Sequence, residues 1–125
     1  ELRMDGLAAD RWNMLHPGGR PKKAYVTQCL EKEPGPVIAS SDYMKMLPDG
    51  IGKWVPDGIM SLGTDGFGRS ESRSALRDFF EVDYRFVTLA ALSSLCRRGE
   101  VSAEVVKKAM RELNISGAKA DPWLS

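Results

Sequence analysis

A glycine-rich segment between an apolar run and a helical pattern constrains the fold of this chain more than any other feature. The apolar run is Gly58-Ile-Met-Ser-Leu62, which predicts a buried strand, and the segment after it is Gly63-Thr-Asp-Gly-Phe-Gly-Arg-Ser70. A helical pattern then covers 71–81. Three glycines within six residues allow positive φ angles and close backbone approaches. Because α/β proteins place contacts and chemistry on such strand-to-helix turns, the segment predicts an α/β fold.

A second apolar run, Val37-Ile-Ala-Ser40, indicates another buried strand, since it is short, begins with β-branched residues and is bounded by proline and polar residues. Neither run alternates between apolar and polar residues, which is typical of strands buried on both faces of a parallel sheet. We therefore predict an α/β domain whose sheet is mainly parallel. Two short strands make a poor independent core, so we also predict that the chain is the later part of a larger sheet, truncated at its N-terminal side.

Helical periodicity is clearest in the last third of the chain. Ser70, Asp83 and Ser102 each precede a helical pattern and are predicted to be helix N-caps. After the last helix, residues 115–125 are predicted to form a C-terminal tail held by Trp123.

The first part of the chain is less regular. We predict that residues 1–23 form an irregular leading segment with only a short helix over Ala8–Leu15, because prolines and a glycine pair follow it. A helix is predicted over Tyr25–Lys32, with Tyr25, Cys29, Val26 and Leu30 facing the core.

Asp42 occupies an informative position after the first predicted strand. It lies at the carboxyl end of that strand, the edge of an α/β sheet where ligands bind. Together with Ser41 it also precedes a short helical pattern over Tyr43–Leu47. We interpret Asp42 as a helix cap rather than a general base.

Composition and charge narrow the functional classes. The chain has 125 residues, which fits one domain, and 18 basic against 17 acidic residues give a net charge of +1. This balance predicts no nucleic-acid partner and no membrane partner. The two cysteines are predicted to be reduced thiols, and a single histidine without a Cys or His pair at ligand spacing predicts no metal site. His16 is predicted to be a surface or packing residue.

The candidate contact residues are Asp65, Gly66, Arg69 and Ser70 of the glycine-rich segment, the neighbouring Arg73, and Asp42. Three interpretations stay open. The segment can be a tight connection with internal or interface salt links, a contact with a partner subunit, or a phosphate cradle at a helix N-terminus. It matches neither GxGxxG nor GxxxxGK[ST], so no nucleotide-binding motif supports the third.

Several longer sequence motifs carry a specific family resemblance. They occur in the following order: Arg11-Trp-Asn-Met-Leu-His-Pro17, Ala39-Ser-Ser-Asp-Tyr-Met-Lys45, Leu62-Gly-Thr-Asp-Gly-Phe-Gly-Arg-Ser70, Phe80-Glu-Val-Asp83, Ala90-Ala-Leu92 and Arg98-Gly-Glu100. Through these motifs the chain resembles the C-terminal part of the first, decarboxylating component of pyruvate dehydrogenase, of the homodimeric type. The resemblance implies a three-layer, transketolase-like C-terminal domain over residues 1–125.

The same resemblance implies the activity of a larger cytoplasmic, bacterial-type enzyme. Members of the family are homodimers that use thiamine diphosphate and Mg2+, decarboxylate pyruvate and pass the acetyl unit to the lipoyl group of an acyltransferase partner in a multienzyme complex. In such enzymes the cofactor supplies the carbon chemistry, while the protein orients and shields it.

The family's cofactor motif, Gly-Asp-Gly followed later by Asn-Asn, does not occur in this sequence. No catalytic, cofactor-binding or metal-binding residue of the family can therefore be placed on this chain, and no cofactor is expected to bind to it. We expect a structural, dimer-supporting part that is inactive alone. The alternative is a non-enzymatic α/β module that binds a phosphate or a protein through Gly63–Ser70.

Overall fold

The structure is a computed structural model that describes residues 1–65 and 72–124. Within these residues there are six α-helices and two strands. The helices are α1 (Leu2–Leu15), α2 (Tyr25–Leu30), α3 (Met46–Asp49), α4 (Arg73–Phe79), α5 (Tyr84–Arg97) and α6 (Ala103–Glu112). The strands are β1 (Ile38–Ser40) and β2 (Met60–Leu62), and short 3-10 turns cover Gly52–Trp54 and Pro122–Leu124.

The two strands pair in parallel, as the sequence predicts. Ile38 lies opposite Met60, and Ser40 lies opposite Leu62. The ladder extends past the carboxyl end of β1, where the Ser41 amide donates to the Leu62 carbonyl over 3.0 Å. Both strands therefore end at one edge of the sheet, and the segments that follow them start side by side.

Apolar side chains cover both faces of this small sheet. One face carries Ile38, Met60 and Leu62, which pack in a cluster with α4 and α5 around buried Phe80 and Phe86. Successive strand residues point to opposite faces. The opposite face accordingly carries Val37 and Ile59, which pack with Ala24, Val26 and Val55 in a second cluster. The sheet lies between two apolar layers, so the three-layer α/β prediction is confirmed.

Of the three helix caps predicted in the last third of the chain and at Ser70, those at Asp83 and Ser102 are confirmed. Asp83 accepts hydrogen bonds from the amides of Arg85 and Phe86 at the start of α5, at 3.1 and 3.2 Å. Ser102 accepts from the Val105 amide at the start of α6. The prediction of Ser70 as the cap of α4 is wrong, because Ser72 accepts from the Ala75 amide and holds that position.

The prediction of an irregular segment over residues 1–23 is wrong for most of its length. A 14-residue helix, α1, covers Leu2–Leu15. Its buried residues are Gly6 and Ala9, and Asp10 accepts from Lys53 Nζ at 2.7 Å and from the Trp54 indole at 3.2 Å. These contacts come from residues more than 40 positions away. Helix α1 therefore depends on distant partners, and the local sequence near Gly6 gives no strong helical signal.

The inward side of α2 agrees with the prediction only in part. Val26 is buried in the second cluster and Leu30 packs against it, as predicted, whereas Tyr25 and Cys29 are exposed. The helix begins at Tyr25 as predicted but ends at Leu30. Asp5 of α1 accepts from the Tyr25 amide at 2.6 Å, so the first turn of α2 is held by α1.

The C-terminal tail is held by Lys119 and Ile115 rather than by Trp123, which is exposed. Lys119 Nζ donates to the Phe79 carbonyl and contacts Glu81 Oε1 at 3.2 Å, and Ile115 packs against the first cluster. No helix within residues 1–65 and 72–124 is long and apolar enough to cross a membrane.

Candidate contact surface at the carboxyl edge of the sheet

The segments that follow the two strands are joined by a set of backbone and side-chain hydrogen bonds. The Thr64 amide donates to the Tyr43 carbonyl at 2.9 Å, and the Thr64 hydroxyl donates to the Asp42 carbonyl at 2.8 Å. Asp65 Oδ1 accepts from the Lys45 amide at 3.0 Å. The start of the glycine-rich segment is thus fixed against residues 42–45.

Gly63 is required for this close approach. A Cβ atom at Gly63 would lie 2.5 Å from the Tyr43 carbonyl oxygen and 3.0 Å from the Lys45 amide nitrogen. Both neighbours are backbone atoms, which cannot swing away as a side chain can. The first glycine of the segment therefore serves the packing of two strand ends, and it does so without a positive φ.

Asp42 does not cap a helix, so the predicted role is wrong. The next helix, α3, starts only at Met46 and has no side-chain cap. Asp42 instead faces α4, where its carboxylate accepts from Arg77 Nε at 3.4 Å and from Arg77 Nη2 at 3.2 Å. Arg73, one turn earlier on α4, places Nη2 at 3.9 Å from the same carboxylate. The Arg77 guanidinium is the main reason why the pKa of Asp42 lies below its ordinary value, and Arg73 adds to it.

The predicted candidate residues divide into three groups. Asp42 and Arg73 face each other across the carboxyl edge. Asp65 lies in the segment after β2, and its carboxylate accepts from the Lys45 amide rather than from either arginine. Gly66, Arg69 and Ser70 lie outside the described residues.

Sequence reasoning missed Arg77, which makes the stronger contact with Asp42. The signal that could have found it is its spacing of four residues from Arg73, which places both guanidinium groups on one face of α4. Asp42 and Arg77 are 35 positions apart, so only the packing of α4 against the sheet edge brings them together.

An open cleft of about 820 Å³ lies beside this ion pair. Its lining residues come from the end of β1, from α4 and from the start of α5: Ser40, Ser41, Asp42, Arg73, Ser74, Arg77, Val82, Asp83 and Tyr84. The volume lies within the range of small-molecule sites, and the wall combines hydroxyl and guanidinium donors. We call this feature the arginine cleft.

His16 lies well apart from this edge and has its own partners. Its ring stacks on Trp12 with centroids 4.1 Å apart, and Nδ1 lies 2.8 Å from the Trp12 carbonyl oxygen. This arrangement agrees with the predicted packing role. Across the described ranges, no three His, Cys, Asp or Glu side chains converge to a possible metal site.

The ion pair at Asp42 makes a testable prediction about titration. Replacing Arg77 with glutamine is expected to raise the pKa of Asp42 toward its ordinary value, because the largest cause of the lowering is removed. The pKa of Asp42 is lower in the folded state than its ordinary value of 3.8. The stabilisation from this ion pair is therefore present above pH 3.8 and is lost as the pH falls through the folded-state pKa. NMR titration of the Asp42 carboxyl carbon measures the shift. Lys107→Gln, which removes a charge on α6, should leave it unchanged.

Comparison with known protein families shows the family to which this chain belongs. The model of the transketolase-like C-terminal domain matches residues 4–83, which are more than half of the chain. The chain belongs to this family. The transketolase-like C-terminal domain match covers α1 to α4, both strands and the predicted contact segment, and it agrees with the α/β fold found here.

Curated relatives extend the similarity over the whole length. The pyruvate dehydrogenase E1 component of Pseudomonas aeruginosa is 54% identical over 123 residues, covering 98% of this chain. The protein of that name from Escherichia coli K12 is 45% identical over 126 residues, covering 100% of the chain, and the one from Mycolicibacterium smegmatis is 39% identical over 120 residues, covering 96%. This transketolase-like C-terminal domain spans only 13 to 14% of the length of these relatives.

Proposed function

We propose that this chain forms the C-terminal part of a thiamine-diphosphate-dependent pyruvate dehydrogenase that decarboxylates pyruvate and passes the acetyl unit to a lipoyl group. The observation that carries the proposal is the similarity over nearly all of the chain to proteins named pyruvate dehydrogenase E1 component. The complete protein is proposed to be a cytoplasmic homodimer that uses thiamine diphosphate and Mg2+ and works with a lipoyl acyltransferase in a multienzyme complex.

The described residues do not fit the cofactor itself. Mg2+ bound to a diphosphate needs oxygen ligands, whereas the carboxylates at the carboxyl edge already have other partners. Asp42 binds Arg77, Asp65 accepts from the Lys45 amide, and within residues 1–65 and 72–124 no ligand cluster of three acidic, His or Cys side chains exists. We therefore assign no step of the reaction to these residues.

The role that remains for this part of the protein is to support and position the rest of the enzyme. Thr64 and Asp65 make side-chain hydrogen bonds to the backbone of residues 42–45, and Gly63 packs closely against that backbone. We infer that the glycine-rich segment, which these residues begin, contacts another domain or the second subunit. We propose Asp42, Asp65, Gly66, Arg69, Ser70 and Arg73 as the residues of that contact.

The enzymatic part of this proposal is tested on the complete polypeptide. With thiamine diphosphate, Mg2+ and a lipoylated acceptor, pyruvate is expected to yield carbon dioxide and acetylated lipoyl groups. A complete polypeptide that folds and binds thiamine diphosphate but does not consume pyruvate would refute the proposed substrate.

The contact role makes a separate prediction for Arg69. In the complete enzyme, Arg69→Ala is expected to lower dimer stability or specific activity, because it removes a cation from the segment that is proposed to make the contact. Sedimentation velocity at decreasing protein concentration and a steady-state pyruvate assay measure the two effects. Arg111→Ala, on α6, is the matched control. Wild-type values of both properties for Arg69→Ala would leave the segment as a simple connection.

A further inference from the structure

Among the described residues that line the arginine cleft, the positive charge of two arginines exceeds the negative charge that pairs with them. Arg73 and Arg77 both face the cleft, and both contact the single carboxylate of Asp42. The other acidic residue on the wall, Asp83, is committed to α5 and to Arg85, whose Nε and Nη2 atoms lie 3.0 and 2.9 Å from its Oδ2 atom. Arg85 also pairs with Asp78, which is not part of the cleft lining. Among the described residues that line the cleft, two guanidinium groups therefore share one carboxylate.

The two arginines also have hydrogen-bond donors to offer. The contact of Arg73 with Asp42 at 3.9 Å is too long for a hydrogen bond. Arg77 contacts Asp42 through Nε and Nη2, which leaves Nη1 outside the pair. A guanidinium is a planar fork of five donors that matches carboxylate and phosphate oxygens. In this chain the side chain of Arg73 is 79% exposed and that of Arg77 is 40% exposed.

Hydroxyl groups on the cleft wall add donors of the right kind. The Ser41 hydroxyl oxygen accepts from the Tyr43 amide at 2.9 Å, which leaves its proton available to a ligand. Ser74, whose hydroxyl oxygen lies 3.4 Å from that of Ser72, and the exposed Tyr84 also line the cleft. Val82 lines it too but is buried in the apolar cluster around Phe86. The lining is therefore mainly polar.

We propose that the arginine cleft binds a small organic anion whose carboxylate or phosphate group is held by Arg73 and Arg77. Asp42 aligns the two guanidinium groups and sets the affinity by competing with the ligand. The volume of about 820 Å³ leaves room for an organic body beside the anionic group. This site uses side chains of α4 and of the segment that follows β1. It shares Asp42 and Arg73 with the contact proposed above, so the ligand and that contact compete for these two side chains.

The test uses the 125-residue chain at constant ionic strength, with three probes: inorganic phosphate, acetate and phenyl phosphate. Chemical shifts of the Arg77 side-chain Nε–H and of the Ser74 amide are followed by NMR. We expect saturable shifts, with phenyl phosphate binding more tightly than inorganic phosphate. Tighter binding of phosphate than of acetate assigns a phosphate head group, and the reverse order assigns a carboxylate.

Two substitutions are expected to weaken binding of the probes, and a third is expected to strengthen it. Arg73→Gln and Arg77→Gln should each weaken binding about tenfold, since each removes charge-assisted hydrogen bonds. Asp42→Asn should strengthen binding several-fold, because the competing carboxylate is lost. Arg111→Gln is the control for net charge, and circular dichroism checks that every variant is folded. Because Arg73 is highly exposed, its substitution keeps the test valid if the Arg77 variant fails to fold.

The proposal is overturned by any of three results. The first is the absence of saturable shifts with all three probes. The second is equal weakening by Arg111→Gln and Arg73→Gln, which would show general charge attraction only. The third is weaker binding to Asp42→Asn than to the wild-type chain.

Discussion

Replacing Phe86 with alanine is expected to lower the free energy of unfolding by about 3–5 kcal/mol. Phe86 is 7% exposed and lies in the cluster that joins α5 to the sheet, with Leu62, Phe80 and Ala90. Deleting its ring removes buried apolar surface and leaves a cavity among side chains that β2 and α5 hold in place. Since a domain is stable by only about 5–15 kcal/mol, the loss is a large part of the total.

Urea unfolding followed by circular dichroism measures this effect. Tyr84→Ala is the matched control, because Tyr84 is an aromatic residue of the same helix that is 74% exposed. Its substitution should change the free energy of unfolding by no more than about 0.5 kcal/mol. Similar small losses for both variants would show that the cluster around Phe86 does not hold the sheet and α5 together.

Replacing Gly6 with alanine is expected to destabilise the chain by about 2 kcal/mol, although alanine favours helices. A Cβ atom at Gly6 would lie 2.4 Å from Cδ2 and Cε2 of Trp54. Relief requires the indole to move, and the indole is fixed by its 3.2 Å hydrogen bond to Asp10 on the same helix. The gain from helix propensity, about 1 kcal/mol, is smaller than the cost of this overlap.

The unfolding free energy and the NMR signal of the Trp54 indole N–H together test this prediction. In Gly6→Ala the indole signal should shift as α1 moves away from Trp54. Gly18→Ala is the control, because nothing lies within 4 Å of a Cβ atom at Gly18. A Gly6→Ala chain as stable as the wild type would contradict the close packing of α1 on Trp54.

The features of the fold that the sequence predicts are those with local causes. Asp83 and Ser102 cap helices that begin immediately after them, so the cap and the apolar pattern lie in one short stretch. The parallel pairing was predicted from two apolar runs that lack alternation, and it is confirmed with the register Ile38 to Met60.

The features that the sequence does not predict depend on distant contacts. Helix α1 contains Gly6 and carries a weak apolar pattern, and it is held by Trp54 and Lys53 from far along the chain. The position of Asp42 was predicted, but its partner was not, because Arg77 reaches it only after α4 has packed on the sheet edge. For Gly66, Arg69 and Ser70 the predicted contact role stays a prediction.

The central claim is that this chain is a supporting part of a thiamine-dependent enzyme whose reacting centre lies on polypeptide outside these 125 residues. Calorimetric titration with thiamine diphosphate in the presence of Mg2+ tests it most directly. We predict no saturable heat for the isolated chain and saturable binding for the complete polypeptide. Saturable binding of thiamine diphosphate to the isolated chain at micromolar concentration would contradict the claim.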